Sequence, residues 1–451
     1  MLLQLLLVLA GGPAVVPAGW PDKYAVGFED GFDQGTQAAS LPPLGGPQTD
    51  VFWPGMEGRT CFRVPALLTV GETLFAFALS RWGDACFNDD NHPLQPVRGD
   101  NRTAVVFRKS EDQGRTWGPM VDICEDGHGA NGCGDFEVAF DSVRGRIVVM
   151  YASMDSTAED TPPFNNASGL WPAHKVYQRT STNLGQTWAP KEGMGEALKD
   201  VDENCDVGCD GCCNIFVGPG RGLQLKSAAH GRAGRMLFCG HRTDAATSRI
   251  SPIWSSDDGT HFKLRAVLPR GTPGAMGAFG PDECQMAELA NGTVIYNARN
   301  NWARANATAG DLPWGRPQRR FVSRSTDGGD TWGALAYDPV LSDHSHGCQG
   351  ALLTDTGGPS DTVFFSQPLT PSRRIMTVHR SENGGGSWPH QMVVATGGAG
   401  YSGMSQLVQG EAGPRMGLLY ERDGPLCTTY YDAARPTVAC RIVFTTFPTN
   451  F

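Results

Sequence analysis

The sequence predicts an all-β protein, and three observations support this prediction. Short segments rich in Val, Ile, Phe and Tyr recur along the 451-residue chain, and sustained amphipathic periodicity of 3.6 residues is nearly absent. One eight-residue turn motif occurs five times, with start-to-start spacings of 71, 74, 70 and 56 residues. Repeated units of this size, each with four short strands, are typical of a β-propeller. Five turns and one further unit, degenerate or terminal, predict six blades.

The predicted strands lie on both sides of these turns. Each combines β-branched and aromatic residues over five to seven positions, as strands of a half-buried sheet do. The clearest are TLFAFAL (73–79), TAVVFRK (103–109), RIVVMYA (146–152), TVIYNAR (293–299), TVFFSQ (362–367) and GLLYE (417–421).

The repeated turn has the frame Ser-x-Asp/Asn-x-Gly-x-Thr/Ser-Trp. Its Asp or Asn side chain can accept hydrogen bonds from nearby backbone N–H groups, its Gly supplies a positive φ, and its last aromatic residue fills the hydrophobic layer. In the third copy His261 and Phe262 replace the last two residues. The five copies are SEDQGRTW (110–117), STNLGQTW (181–188), SSDDGTHF (255–262), STDGGDTW (325–332) and SENGGGSW (381–388).

Composition and charge restrict the possible partners. The chain has 47 acidic and 37 basic residues, a net charge of −10, and no block of Lys and Arg. Nucleic acid or an anionic membrane would require such a block, so neither is the expected partner, and an anionic ligand has to be bound by local cations. The 58 Gly and 31 Pro stay below the level that indicates disorder. No later segment predicts a membrane span.

The first residues predict a signal peptide. Residues 1–10, MLLQLLLVLA, are apolar but too few to cross a bilayer, and Val-Pro-Ala at 16–18 resembles a cleavage site. The alternative is an ordinary buried N-terminal segment. We therefore expect a signal peptide at 1–18, a leader or linker at 19–48, and the propeller domain at 49–451. The expected location is outside the cell or in an endomembrane or lysosomal lumen.

Cysteines and glycosylation motifs agree with an oxidising compartment. Thirteen cysteines leave at least one thiol unpaired within the chain. The four cysteines within 205–213 allow a zinc site, but disulfides are favoured because no second ligand group lies nearby. Cys427 and Cys440 flank a probable hairpin and are expected to pair. Four Asn-x-Ser/Thr sequons begin at Asn101, Asn166, Asn291 and Asn306.

The turns and a set of ordered motifs resemble the sialidase (neuraminidase) family. In these six-bladed propellers the repeated turn is called the Asp box. Segment 61–67, CFRVPAL, resembles the Phe-Arg-Ile/Val-Pro motif that opens the family's catalytic domain. The resemblance covers residues 50–450, nearly the whole chain. It implies that Arg63 is the first of three arginines that bind a substrate carboxylate.

The chemistry of sialic acid explains why these residue types occur together. Its anomeric carbon carries a carboxylate, so an enzyme has to hold that group and avoid attack by a second negative charge. Arginine meets the first need because its planar guanidinium pairs bidentately with a carboxylate and stays charged. A tyrosine with an adjacent base meets the second need because the attacking group starts neutral.

Segment 280–299, GPDECQMAELANGTVIYNAR, resembles the family stretch in which a Glu begins one strand and an Arg ends the next. In this chain these residues are Glu283 and Arg299, separated by an Asn-Gly turn. An antiparallel hairpin of that length returns Arg299 beside Glu283. The resemblance implies that Arg299 is the second substrate-binding arginine and Glu283 the base. A cross-strand salt bridge is the alternative interpretation.

Two further motifs complete the set. Arg373, in PSRRIMTVHRS, matches the third arginine by its place before the strand that leads to the fifth turn, and the adjacent Arg374 is the alternative. Strand alternation allows only one of the two to point at the site. Segment GAGYSGMSQL resembles the family's Tyr-Ser stretch and implies that Tyr401 is the nucleophile.

The general acid is expected between the first arginine motif and the first turn. Asp100 fits because it lies ten residues before Ser110. Asp84, Asp89 and Asp90 in the preceding loop are alternatives.

Two additional residues are expected near the acid and the pocket. Arg81 resembles a further family arginine, with a structural ion pair as the alternative, and Asp135 is expected to line the pocket. The resemblance thus implies a retaining exo-sialidase that releases sialic acid from glycoproteins, glycolipids or oligosaccharides through a covalent tyrosyl-sugar intermediate. No metal or organic cofactor is expected because the arginines supply the positive field. The alternatives are a non-catalytic propeller that binds glycans or proteins, and a trans-sialidase.

Overall fold

The computed structural model describes thirteen segments of the chain. They are residues 46–82, 103–124, 133–153, 175–194, 215–243, 249–268, 281–300, 319–343, 347–355, 361–370, 373–408, 415–423 and 439–451. The expected signal peptide, the cysteine-rich window at 205–213 and Cys427 lie outside these segments. Within them, no helix reaches the length and apolarity that crossing a bilayer would require.

The described residues form twenty-five strands and one short 3-10 turn at Met56–Gly58. The strands are β1 (Thr49–Phe52), β2 (Cys61–Val70), β3 (Thr73–Arg81), β4 (Thr103–Ser110), β5 (Val121–Asp122), β6 (Cys133–Asp141), β7 (Arg146–Ser153), β8 (Lys175–Ser181), β9 (Glu192–Gly193), β10 (Ile215–Val217), β11 (Gly220–Arg221), β12 (Leu223–Gln224), β13 (Met236–Thr243), β14 (Arg249–Ser256), β15 (Lys263–Leu268), β16 (Pro281–Glu288), β17 (Val294–Asn300), β18 (Arg319–Ser325), β19 (Ala336–Ser342), β20 (Ala351–Thr354), β21 (Val363–Pro368), β22 (Arg374–Ser381), β23 (His390–Gln406), β24 (Arg415–Asp423) and β25 (Ala439–Pro448).

These strands pair into antiparallel sheets in a propeller-like arrangement, which confirms the predicted all-β class. In the described part of the chain the sheet orders are β2-β3-β4-β5, β11-β6-β7-β8-β9, β10-β13-β14-β15 with β12 also on β13, β16-β17-β18-β19, and β1-β25-β24-β23-β22-β21-β20. The short β11 is the exception in direction, since it runs parallel to β6.

The seven-stranded sheet arises because the 17-residue β23 has two sets of partners. Its first half pairs with β22, where Ala395 lies opposite Met376. Its second half pairs with β24, where Ser402 lies opposite Tyr420. The N-terminal β1 then completes the edge beyond β25, with Thr49 opposite Phe444.

The repeated turns have the hydrogen bonds that their sequence predicts. In the first copy, Asp112 accepts hydrogen bonds from the Thr116 backbone N–H at 2.8 Å and from the Ser110 hydroxyl at 2.8 Å. The Gly114 N–H donates to Ser110 Oγ at 2.8 Å, and Gly114 has a φ of 88°. Burial raises the pKa of Asp112, but the hydrogen bonds from Thr116 and Ser110 outweigh it and lower the pKa to about 2.

The third copy departs from the predicted frame by one residue. Asp258, rather than Asp257, accepts hydrogen bonds from the backbone N–H groups of Thr260 (2.9 Å) and His261 (2.8 Å). Asp257 instead pairs with the buried Arg235, at 2.6 Å. The two adjacent aspartates made both registers possible in the sequence, and the tighter turn uses the second one.

The aromatic residues of these turns pack into the core, partly against a neighbouring sheet. Trp117 contacts Phe444 of β25 edge-on, with ring centroids 5.5 Å apart, and Trp188 contacts Phe107 of β4 in the same way at 5.9 Å. These two turns therefore join consecutive sheets, because each places its aromatic ring on a strand of the sheet before it. In the other three copies the aromatic residue contacts a ring of its own sheet.

Two disulfides link elements of different sheets. Cys124 pairs with Cys133 at the start of β6, and Cys239 of β13 pairs with Cys284 of β16. Cys61 at the start of β2 is also disulfide-bonded. Among the described cysteines, Cys348 is a free thiol and is buried. The disulfides agree with the expected oxidising chemistry.

Candidate active site

The hairpin of β16 and β17 places Glu283 and Arg299 side by side. Arg299 Nη1 donates a hydrogen bond to Glu283 Oε2 at 2.8 Å, and both side chains are almost fully buried. The cross-strand salt bridge that the sequence left as an alternative is therefore present. A third side chain is hydrogen-bonded to both Glu283 and Arg299, so the pair is more than a structural ion pair.

The third group is Tyr401, which β23 brings from more than 100 residues away. Arg299 Nη1 donates to Tyr401 Oη at 2.8 Å, and the Tyr401 hydroxyl donates to Glu283 Oε1. The phenol thus lies between a cation and a carboxylate, and the carboxylate is placed to accept the phenolic proton.

The other two predicted arginines converge on the same ring. The Arg63 guanidinium carbon lies 5.2 Å from the centre of the Tyr401 ring, and that of Arg373 lies 5.4 Å from it. Arg373 Nη2 donates to the Gly347 carbonyl at 3.0 Å. Of the two adjacent arginines that the sequence offered, Arg373 is the one over Tyr401, whereas Arg374 begins β22 opposite Gly398.

Glu421 on β24 is a site residue that the sequence analysis did not identify. Its carboxylate accepts hydrogen bonds from Arg63 Nε at 3.2 Å and Nη2 at 3.4 Å, from the Val64 N–H at 2.9 Å and from the Tyr401 N–H at 3.1 Å. The only signal in the sequence is a carboxylate at the end of the apolar run GLLYE. Glu421 holds the first arginine and the tyrosine strand together.

Burial and charge together set the protonation states at the site. Burial raises the pKa of the Tyr401 phenol well above its ordinary value; Glu283 raises it further, and Arg299, Arg373 and Arg63 lower it. Burial lowers the pKa of Arg299, but the Glu283 carboxylate outweighs it, so the pKa is raised well above its usual range. Tyr401 is therefore neutral at rest and Arg299 stays charged.

Cys348 also lies against this group of residues. It packs in the same buried cluster as Tyr401, and burial raises the pKa of its thiol to about 11. The thiol is therefore neutral at ordinary pH. No set of three or more His, Cys, Asp or Glu side chains in the described segments forms a potential metal site.

Two of the remaining predicted residues lie in the described strands, and the predicted general acid does not. Arg81 ends β3 opposite Cys61 of β2 and Thr103 of β4, and is half-buried. Asp135 lies half-buried near the start of β6, at a register shift between Cys133 and Phe136. Asp100 and its alternatives, Asp84, Asp89 and Asp90, lie outside the described residues.

Comparison with known proteins identifies the family. Residues 97–414, more than two thirds of the chain, match the model of the BNR repeat-like domain. The chain belongs to the sialidase family with BNR repeats. The five turns described above lie within the matched residues.

Curated relatives in the sialidase family are distant. The chain is 25% identical over 402 residues to a sialidase of Micromonospora viridifaciens. The aligned residues cover 86% of this chain and 54% of that protein. It is 24% identical over 338 residues to sialidase-4 of Mus musculus, covering 71% of this chain and 59% of that protein. The chain thus spans little more than half the length of these relatives.

Solved structures of sialidases have the same fold. The Hadza microbial sialidase Hz136 superposes with a TM-score of 0.63 at 22% identity, covering 88% of this chain and 68% of the other. A leech intramolecular trans-sialidase superposes with a TM-score of 0.61 at 16% identity, and the superposition covers 92% of this chain and 72% of the leech protein.

Proposed function

We propose that this chain is a retaining exo-sialidase that releases terminal sialic acid through a covalent tyrosyl-sugar intermediate. The observation that carries the proposal is the contact of the Tyr401 phenol with both the Glu283 carboxylate and the Arg299 guanidinium. A neutral phenol beside a base, under two more arginines, suits attack on a carbon that bears a carboxylate.

In the first step the three arginines hold the substrate carboxylate beside Tyr401. Tyr401 Oη forms a bond to the anomeric carbon while its proton passes to Glu283. The bond from the anomeric carbon to the leaving oxygen breaks, and that oxygen takes a proton from Asp100. Asp100 keeps this role as the prediction of the sequence.

In the second step water replaces the tyrosine. The Asp100 carboxylate takes a proton from the water, whose oxygen attacks the anomeric carbon from the side that the leaving group vacated. The bond to Tyr401 Oη breaks and the phenolate recovers its proton from Glu283. Two displacements give net retention, and tyrosine in place of a second carboxylate is a known variant of this scheme for sialidases.

The three arginines also explain how an acidic protein binds an anionic sugar. Their charges are concentrated on one buried tyrosine, so the chain requires no overall positive charge to attract the substrate carboxylate. The proposed substrates are sialylated glycoproteins, glycolipids or oligosaccharides.

We also propose that the propeller has six blades. The support is the double pairing of β23: its first half closes the unit β20 to β23, and its second half opens the unit made with β24, β25 and β1. Counted in this way, the seven-stranded sheet consists of two four-stranded units that share one long strand. Together with the other four sheets they make six.

Entry into the secretory pathway is a further part of the proposal. It is supported by the apolar segment at 1–10 and by the disulfides. Among the sequons, Asn291 lies exposed in the hairpin turn between β16 and β17, where a glycan would be accommodated. Secreted protein should therefore lose mass on enzymatic removal of N-glycans, and should lose less when Asn291 is replaced by Gln.

The test of the function is hydrolysis of a fluorogenic α-sialoside by the purified protein. Tyr401→Phe, Glu283→Gln and Arg299→Ala should each reduce kcat/KM by at least about 10²-fold, because each removes the nucleophile, its base or a cation. Tyr420→Phe is the matched control, since Tyr420 is a buried tyrosine on the neighbouring β24; its activity should be unchanged.

The product distinguishes the remaining alternatives. NMR of the first product should show the α anomer of free sialic acid. Full activity of Tyr401→Phe would contradict the mechanism. An inactive parent that still binds sialylated glycans would favour the non-catalytic alternative, and transfer of the sugar to an added glycan in place of release would favour the trans-sialidase.

A further inference from the structure

The start of β16 contains a β-bulge beside the proposed active site. Pro281 pairs with Asn300 and Cys284 pairs with Ala298, so Asp282 and Glu283 together oppose the single residue Arg299. In a regular strand two consecutive side chains point to opposite faces of the sheet. The bulge allows both carboxylates to approach the same guanidinium.

The two carboxylates contact different parts of Arg299. Glu283 Oε2 accepts a hydrogen bond from Nη1 at 2.8 Å, whereas Asp282 Oδ2 lies 4.0 Å from Nε. Nη1 also donates to Tyr401. Asp282 is therefore behind the guanidinium, and Glu283 and Tyr401 are at its front. At 4.0 Å the Asp282 carboxylate makes no hydrogen bond to Nε, but its charge favours the guanidinium orientation that keeps Nε toward Asp282 and Nη1 toward Tyr401.

His241 lies against Asp282 on the other side, at ion-pair distance. His241 Nε2, on β13, lies 3.2 Å from Asp282 Oδ1, and both residues are nearly inaccessible to solvent. The His241 ring stacks on Phe216 with centroids 5.3 Å apart and an interplanar angle of 13°. The imidazole is thus fixed by stacking, and it limits the positions that the Asp282 carboxylate can adopt.

The opposite side of Arg299 is closed by backbone. A Cβ atom added to Gly347 would lie 2.7 Å from Arg299 Cγ and 3.0 Å from its Nε. The stem of Arg299 therefore lies between the backbone at Gly347 and the two carboxylates of the bulge.

We infer that Asp282, which lies against His241, is a positioning residue that orients Arg299 toward Glu283 and Tyr401. The inference rests on the proposed function, because the reaction is what an oriented Arg299 would serve. Asp282 acts through its 4.0 Å contact with Arg299 Nε. Support of this kind from a second layer of residues commonly decides whether a reacting group is held closely enough.

The test is Asp282→Asn, assayed on the fluorogenic α-sialoside. The amide keeps the shape and removes the charge. We expect kcat to fall at least tenfold, because Tyr401 and Glu283 are no longer aligned by Nη1, and KM to rise less, because Arg63 and Arg373 still hold the carboxylate. A fall in kcat of less than threefold, or a change confined to KM or to the melting temperature, overturns the inference.

Asp338→Asn is the matched control. Asp338 is an equally buried carboxylate on β19, the outer strand of the same sheet, where it accepts hydrogen bonds from the Val340 and Leu341 N–H groups. Its replacement should lower the melting temperature and leave kcat unchanged. A loss of kcat in this variant as large as that of Asp282→Asn would show a general effect of buried charge and overturn the inference.

His241→Ala provides the second measurement and decides alone if Asp282→Asn does not fold. It should lower kcat in the same direction by a smaller factor, and the double variant should be no slower than Asp282→Asn. An unchanged kcat in His241→Ala would overturn the inference that His241 acts through Asp282. Losses of kcat that multiply in the double variant would overturn it as well. Absence of sialidase activity in the parent would instead remove the proposed function, so the two failures are distinguishable.

Discussion

Replacing Glu421 by Gln should damage both the fold and the binding of substrate. The Glu421 carboxylate accepts four N–H donors, two from Arg63 and one each from the backbone of Val64 and Tyr401. A glutamine has one acceptor oxygen and presents an NH₂ group at the position of the other. Two of the four donors would then face another donor inside the protein.

The magnitude follows from those two lost contacts. Losing one bond from a guanidinium and leaving one buried N–H unsatisfied should together cost about 3–5 kcal/mol of stability. Arg63 would also lose the charge that orients it, and a weakened contact with the substrate carboxylate of about 1.4–2.7 kcal/mol would raise KM about 10- to 100-fold. Thermal unfolding and steady-state kinetics measure the two effects separately.

Glu288→Gln is the appropriate control for this prediction. Glu288, at the other end of β16, also accepts two backbone N–H bonds, from Lys226 and Ser227, but it contacts none of the site residues in the described segments. The Glu288→Gln protein should have a lower melting temperature than the parent and the same KM. A Glu421→Gln protein with the parental melting temperature and a KM within twofold of the parent would refute the argument.

The other predictions concern pH and packing. Burial raises the pKa of Glu137 well above its usual value, so the folded state holds a proton that the unfolded state loses as pH rises. Glu137→Gln should therefore raise the melting temperature at pH 7 and change it little at pH 4, and an equal shift at both would contradict this. Burial lowers the pKa of His379 to about 4. The neutral buried imidazole therefore contributes to the free energy of unfolding above pH 6.5, and this contribution, about 3 kcal/mol, is lost as the pH falls from 6.5 toward 4. His379→Gln should flatten that part of the stability curve, as denaturant titrations at several pH values would show. Gly114→Ala should destabilise by about 2–4 kcal/mol, because the new Cβ would overlap the Phe444 ring and the residue has a positive φ. Gly145→Ala, also at positive φ but with no atom within 4 Å, should lose only about 1 kcal/mol, and equal losses would disprove the contribution of the overlap.

The local part of this structure was predictable from the sequence because it depends on short-range pairing. The turn frame specifies its own hydrogen bonds, and Glu283 and Arg299 belong to one hairpin with a short turn. Tyr401 is the exception to short-range pairing: it lies 118 residues from Glu283 and was identified by its motif, and the structure brings its hydroxyl to Glu283. An error of one or two residues in the predicted strand boundaries would not change the prediction of these features.

The contacts that were missed depend on the closure of the ring and on exact register. Glu421 and Arg63 are 358 residues apart, and nothing in the local pattern of either strand indicates their pairing. Asp282 was overlooked because strict alternation would direct it away from Arg299, and only the bulge in β16 reverses that. Arg373 was the assignment from the sequence, but its choice over Arg374 depends on backbone detail, since Arg373 has a φ of 49°.

The pairing of β1 with β25 has a consequence for biosynthesis. A ribosome releases the first strand long before residues 439–448, so the edge that β1 completes has to wait for nearly the entire polypeptide. Until then the nascent chain exposes unpaired strand edges, which are prone to aggregation. Chaperones that shield such edges should therefore increase the yield of active protein more than slower translation of the early sheets would.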